Sequence, residues 1–349
     1  MTEPLTLSID AMGGDSAPEM VIEGIETSMA RLSNTKFLLF GDEAQLAPLL
    51  EKHPLAAKAS EIRHTDEAIT NDQKVSSALR SGRNSSMRLA INAVGSGEAA
   101  GVISAGNTGA LMAMAKFVLK TLPGIDRPAI AGYYPTQRGE SVMLDLGANV
   151  DCDADNLVQF AVMGEVFARN VLGVENPTIG ILNVGAENLK GNEAVKKASL
   201  MLQETSLPIK FHGFIEGDDI GAGVVDVVVT DGFTGNIALK TAEGTAKMFG
   251  VFLKRALSES FMSKFGAWLA SGALKRFKMQ VDPRLYNGAM FLGLNGICIK
   301  SHGGTDSYGF ANAIHVAVEM ITHSFNEAIK EDYAQLSGHT HTLNEAVGS

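Results

Sequence analysis

Hydrophobic positions in this chain follow two alternating rhythms. Short apolar runs end in Gly, Asn or Asp, and stretches with apolar residues every three or four positions follow them. The first run, Leu5 to Ile9, meets Asp10-Ala-Met-Gly-Gly-Asp15. Pro18 then stands where Val21, Ile22, Ile25, Met29 and Leu32 begin a helical stripe. Further runs predict strands at Phe37 to Gly41, Gly101 to Ser104, Ala129 to Tyr133, Val142 to Leu146, Thr178 to Asn183, Ile209 to Phe214, Val224 to Thr230 and Ile297 to Lys300. Alternation of buried strands with amphipathic helices is the mark of βαβ units, so the pattern predicts an α/β fold with a mostly parallel sheet and helices on both faces. In such sheets ligands bind at the carboxyl ends of strands, which directs attention to the loops that follow them.

No repeat, linker or shift in composition divides the chain, so residues 1–335 read as a single catalytic domain and 336–349 as a polar tail. His339 and His341 in that tail read as solvated residues rather than a metal pair. Hydrophobic residues make up 45% of the 349 and charged residues 19%, enough for a large core and against disorder. The net charge of −10 argues against a general nucleic-acid binder, which needs a basic face. Cys152 and Cys298, the two cysteines, have no paired spacing, so neither a disulfide framework nor a cysteine zinc site is expected and a reducing cytoplasm is the simplest setting. No signal peptide is read at the N-terminus, and no run approaches the roughly 20 apolar residues of a spanning helix.

Five loops at expected strand ends carry the candidate chemistry. Asp10, Gly13, Gly14 and Asp15 form a Gly-rich strand-to-helix turn able to aim backbone N–H groups at an anion, with a plain tight turn as the alternative. It lacks both the phosphate-loop and the dinucleotide fingerprints. Ser104, Gly106, Asn107 and Thr108 open a helix whose N-terminus suits a phosphate or carboxylate, or else simply form its cap. Asp145 and Asn149 read as pointing into the same end of the sheet, or as an Asx turn. In the fourth loop, Asn183 ends a strand, and Glu187 and Lys190 stand one helical turn apart, where they pair across a helix start; an anion contact is favoured for Lys190. In the fifth, Asp231, Thr234 and Asn236 follow a very apolar strand and start a long helix. His302, in Lys300-Ser-His-Gly-Gly304, is a candidate catalytic group or a packing histidine. A nucleophile elbow, a Cys–His signature and a zinc-protease motif are all missing.

Together Asp10-Ala-Met-Gly-Gly-Asp15, Ser104-Ala-Gly-Asn-Thr-Gly-Ala110, Leu144-Asp-Leu-Gly-Ala-Asn-Val150, Asp231-Gly-Phe-Thr-Gly-Asn236, Tyr286-Asn-Gly-Ala-Met-Phe-Leu-Gly-Leu-Asn-Gly296 and Lys300-Ser-His-Gly303 resemble the bacterial phosphate acyltransferases of phospholipid synthesis. The resemblance runs from about residue 5 to about residue 330. It implies a three-layer α/β/α sandwich like those of phosphotransacetylase and isocitrate dehydrogenase, dimerisation, and a cytoplasmic enzyme associated peripherally with the membrane. The implied reaction converts acyl-acyl carrier protein and inorganic phosphate into acyl phosphate, which a membrane glycerol-3-phosphate acyltransferase then uses. One departure stands out: the fourth loop has Ala186 before Glu187, where relatives often carry two adjacent acids. Glu187, Lys190 and Gly191 still match.

That reaction needs no protein nucleophile, metal or other cofactor. Phosphate attacks the thioester, and the leaving thiolate comes from a thiol of pKa near ~8.5. The resemblance gives Lys190 and Asn236 the leading roles, as phosphate contact and oxyanion donor, and supports Asn107, Asp231, Thr234 and His302 less strongly. Independently, Phe261, Met262, Phe265, Trp268 and Leu269 are spaced for one helical face, and Val251 to Gln280 holds six Lys or Arg against one Glu. An apolar face flanked by bases reads as an interfacial helical tip over 259–279, suited to a membrane surface and to the acidic carrier protein. A core or dimer-interface helix is the alternative, and Gly266 and Gly272 read as the bend of a hairpin. A coenzyme A-dependent phosphotransacetylase and a non-catalytic membrane scaffold for lipid enzymes remain as other readings of the whole.

Overall fold

The computed structural model describes residues 4–32, 34–205 and 209–331. The polar tail lies outside them. The strands are β1 (Leu5–Asp10), β2 (Thr35–Gly41), β3 (Ser60–His64), β4 (Gly101–Ser104), β5 (Ala129–Thr136), β6 (Gly139–Leu144), β7 (Thr178–Leu182), β8 (Lys210–Ile215), β9 (Val227–Val229), β10 (Ala289–Leu292) and β11 (Ile297–Lys300). The helices are α1 (Glu19–Ser28), α2 (Glu43–Leu50), α3 (Pro54–Ala59), α4 (Val75–Ser81), α5 (Ser86–Gly95), α6 (Thr108–Leu119), α7 (Ala154–Asn170), α8 (Glu193–Glu204), α9 (Gly217–Ala222), α10 (Gly232–Ser258), α11 (Phe261–Leu269), α12 (Ser271–Gln280) and α13 (Ser307–Thr322).

All described strands join one sheet in the order β3-β2-β1-β4-β11-β10-β5-β6-β9-β7-β8. Alternate side chains face opposite layers, as the period of two requires. Leu7, Ile9, Phe37, Leu39, Ile103 and Ile299 face one continuous buried layer that also holds the inner residues of α1, α7 and α13, whereas Leu38, Phe40, Val102 and Cys298 share a second layer with α5 and α6. The result is the three-layer α/β/α sandwich expected. Helix packing is close: a Cβ on Gly164 of α7 would lie 2.5 Å from Val227 Cγ1 in β9.

Seven of the ten strand pairings are parallel. The other three change how the loops are arranged. β10 is antiparallel to both β11 and β5, and β5 is antiparallel to β6. Strands β1, β4 and β11 therefore run opposite to β6, β9 and β7. The loops after β1, β4 and β11 leave one edge of the sheet, and those after β6, β7 and β9 leave the other. The expectation that all five loops share one end is corrected accordingly. The reversal comes from β10, which follows Gly288 (φ +115°) and was not foreseen as a strand.

Candidate active site

At the first edge, β1 ends on Asp10, whose carboxylate is buried. Ser86 Oγ and Ser104 Oγ each donate to it at 2.6 Å, and Ser104 Oγ accepts from Gly106 N at 3.1 Å. Burial raises the Asp10 pKa above the ordinary carboxylate value, against the hydrogen bonds that lower it. Gly13 closes over this group: a Cβ there would sit 2.4 Å from Asp10 Oδ2 and 2.8 Å from Gly106 N. Gly14 (φ +120°) packs on Ala105. Asp15 donates its N–H to Gly303 O at 2.9 Å and accepts from Asn71 Nδ2 at 2.8 Å. The loops after β1, β4 and β11 thus form one unit.

Asn107 caps α6 through Ala110 N (3.0 Å), and its Nδ2 donates to the carbonyls of Asn71 and Gln73 at 2.9 and 3.1 Å. Its amide is spent on holding the 70–73 segment over the site, while Thr108 opens the helix beyond it. His302 donates its backbone N–H to Asn287 Oδ1 at 2.8 Å, and its Nδ1 accepts from Gly304 N at 3.1 Å. Burial lowers the His302 pKa, and the charge of Lys240 lowers it further. The imidazole is neutral near pH 7 with its proton on Nε2.

At the opposite edge, Asp145 and Asn149 organise their loop. Asp145 accepts from the N–H groups of Ile130, Gly147, Ala148 and Asn149 at 2.7 to 3.2 Å and from Asn149 Nδ2 at 2.9 Å. This is the Asx-turn alternative, with every carboxylate oxygen occupied. Asn149 O accepts from Gly232 N at 2.7 Å, which docks this loop on the start of α10. There Asp231 is the N-cap, accepting from Thr234 N at 2.8 Å and from Thr234 Oγ1 at 2.9 Å. Asn236 follows on the first turn, exposed, beside Gly147, and its amide makes no hydrogen bond among the described residues.

Asn183 shapes the fourth loop by donating to Gly185 O and Lys190 O, each at 3.1 Å. Lys190 Nζ pairs with Glu187 Oε1 at 3.0 Å. The pair exists as expected, but on a turn: Asn192 caps α8, which starts only at Glu193. Paired residues Ile181 and Val229 place β7 beside β9, so Lys190 and Asn236 leave the same edge of the sheet.

Helix α10 links the two edges. It starts beside Asn149, and one turn after Asn236 the charge of Lys240 is felt by both His302 and Lys300. Neither cysteine supplies a nucleophile. Burial pushes the Cys152 thiol up to about 12, and it raises Cys298 as well.

Sequence reasoning missed Ser86, Asn71, Asn287 and Lys300. Asn287 and Lys300 lie inside recognised motifs, and their roles depend on contacts across the fold. Ser86 and Asn71 sit in segments with no distinguishing pattern.

Residues Phe261, Met262, Phe265, Trp268 and Leu269 all fall in α11, where Phe265 and Trp268 stack at 5.8 Å. Neither α11 nor α12 buries a residue, and α10 buries only Gly232 and Gly235. Gly266 and Gly272 lie within α11 and α12, not at the bends expected of them. The breaks fall at Ser260, whose hydroxyl caps α11, and at Ala270. Among the described residues no helix is long and apolar enough to cross a membrane.

The fatty acid synthesis protein family matches residues 5–328. The chain is 60% identical over 336 residues to a phosphate acyltransferase of Rhodospirillum centenum, covering 96% of this chain and 95% of that one. It is 59% identical to a phosphate acyltransferase of Paramagnetospirillum magneticum, covering 96% of each. A phosphotransacetylase structure from Streptococcus pyogenes superposes with a TM-score of 0.60 at 16% identity, covering 92% of this chain and 95% of that one. The EutD phosphotransacetylase of Staphylococcus aureus gives 0.56 at 18% identity, covering 93% and 94%. The two structures establish the shared fold, and the sequence relatives establish that this chain belongs to the phosphate acyltransferases and is an acyltransferase.

Proposed function

We propose that the chain transfers a long-chain acyl group from acyl-acyl carrier protein to inorganic phosphate, releasing acyl phosphate for phospholipid synthesis. The observation that carries this reading is the exposed Asn236 amide at the start of α10, without a hydrogen bond among the described residues and at the same sheet edge as Lys190, in a chain whose two thiols are both held protonated. A phosphate oxygen attacks the thioester carbonyl carbon and forms the C–O bond. The carbonyl electrons move to oxygen, where Asn236 Nδ2 donates to the oxyanion, a contribution of roughly 3 kcal/mol. The intermediate collapses, the C–S bond breaks, and the carrier thiolate leaves and takes a proton from solvent.

Lys190 supplies charge to the phosphate from the edge it shares with Asn236, and the open start of α6 at Thr108 supplies backbone donors from the opposite edge, across α10. His302, which feels the charges of Lys240, Glu243 and Lys247 on α10, contributes its Nε2–H. Holding both reactants along the first turns of α10 adds the proximity contribution. The apolar, basic α11–α12 segment serves as a peripheral membrane contact and attracts the acidic carrier protein, and the chain works as a homodimer. Its product passes to a membrane glycerol-3-phosphate acyltransferase.

The test is incubation of the purified chain with palmitoyl-carrier protein and phosphate, without metal or nucleotide, following free carrier thiol and acyl phosphate. Phosphate-dependent thiol release supports the reading. Release independent of phosphate, or turnover only with acyl-coenzyme A, overturns it in favour of hydrolysis or a phosphotransacetylase. Membrane binding without turnover points to a scaffold.

A further inference from the structure

Lys300 is the one lysine or arginine among the buried described residues. It ends β11, and its ammonium donates to Ala105 O at 3.4 Å and to Ser301 O. No carboxylate lies within ion-pair distance of it among the described residues. Asp10 at the end of β1 and Asp15 in the loop after it attract it, Lys240 repels it from α10, and the Cys298 thiol lies on its own strand. An ammonium has three donors, and the two carbonyls take two of them. Burying such a charge without a direct partner is costly, whereas an apolar chain of the same length fills the space without that cost. The two accepting carbonyls belong to the loops that carry Gly106 and His302.

We propose that Lys300 is a positioning residue for the phosphate ligand: it ties the Ser104–Gly106 loop to the Ser301–His302 turn and keeps positive charge in the seam between them. The proposal rests on the phosphate-binding reading given above. Burial holds the ammonium down to about 8, with Asp10 and Asp15 opposing that shift. The charge is present below that pH and lost above it. His302 ionises at lower pH and the Cys298 thiol at higher pH, while Asp10, raised by burial, is common to the wild type and the Lys300 variants, so an inflection lost in those variants belongs to Lys300.

The experiment measures the KM for phosphate, kcat and calorimetric binding of inorganic phosphate across that window for the wild-type chain, Lys300→Gln and Lys300→Met, with folding checked by circular dichroism. In the wild type, the KM for phosphate rises as pH passes about 8 while kcat changes less. Folded variants show a KM raised about tenfold that lacks the inflection near pH 8 and varies only with the ionisation of phosphate itself, as loss of a charged donor predicts. A folded variant with unchanged phosphate KM, or one that keeps the inflection near pH 8, overturns the proposal. If neither variant folds, the wild-type profile decides, and no inflection there overturns it. Phosphate-dependent turnover with unchanged variants sinks only the role of Lys300. A wild-type chain that shows no phosphate-dependent turnover sinks the functional reading, while calorimetry still reports on Lys300.

Discussion

Ser104 donates its hydroxyl to Asp10 at 2.6 Å across 94 positions of sequence, and so joins the ends of β1 and β4. The same oxygen accepts from Gly106 N, which makes Ser104 the link between a buried carboxylate and the open end of α6. Ser104→Ala leaves Asp10 with one fewer donor and strands a backbone N–H. The expected cost is about 2 kcal/mol in urea unfolding. A loss below about 0.5 kcal/mol shows that the two loops do not depend on this bond. Gly13→Ala attacks the same joint from above, because its Cβ meets the Asp10 carboxylate and the Gly106 backbone. The chain must shift there, at about 1–3 kcal/mol.

Asn236 separates catalysis from stability. Its amide is exposed and makes no hydrogen bond among the described residues, so Asn236→Ala is expected to leave thermal stability within about 0.5 kcal/mol. If it donates to the oxyanion, kcat falls by about 10²- to 10³-fold. Lys190→Ala removes an exposed charge and is expected to raise the KM for phosphate more than it lowers kcat. Steady-state kinetics on both variants check the division of labour. A large kcat loss for Lys190→Ala alone assigns the transition-state contact to lysine instead.

The pH response of His302 has a defined sign. Burial lowers its folded pKa below the ordinary 6.5. In acid the unfolded chain therefore takes up the proton more readily than the folded one. The stability linked to this histidine is complete above about pH 6.5 and is lost as pH falls through the lowered folded value. His315 on α13 is shifted the same way, so the comparison must be differential. Melting curves of the wild type and His302→Gln between roughly pH 5 and 7.5 should converge as pH falls. Parallel curves would falsify the assignment to His302.

Much of this arrangement was legible from residue patterns because the fold obeys local rules. Asp10, Ser104 and Lys300 end strands where the apolar runs stop, and Pro18 and Asn107 stand at the helix starts they signal. Edge strand β3 was invisible because Ser-Glu-Ile-Arg-His has no apolar run. Strand β10 hid within a Gly-rich motif, and with it went the reversal that sends the five loops to two edges. Asp145 was legible as an Asx residue, but the five donors on its carboxylate come partly from Ile130, fifteen positions away. The helical register of Glu187 and Lys190 fitted their pairing equally well as a turn, and spacing alone does not distinguish the two.

The last prediction concerns α11. Phe265 and Trp268 are 49% and 66% exposed and stack on each other, so replacing either costs the fold little. Burying such side chains in a lipid interface contributes about 25 cal/mol per Å² of apolar area, and nearby Lys264, Lys275, Arg276 and Lys278 add attraction to anionic headgroups. Aspartate at both positions reverses the first contribution and weakens the second. If α11 meets the membrane, Phe265→Asp with Trp268→Asp abolishes sedimentation with anionic vesicles and leaves dimerisation and thermal stability intact. If it meets a second copy of the chain, the variant sediments as a monomer in analytical ultracentrifugation. Retained vesicle binding with an intact dimer removes α11 from both roles and moves the membrane contact to the exposed Met248, Phe249 and Phe252 of α10.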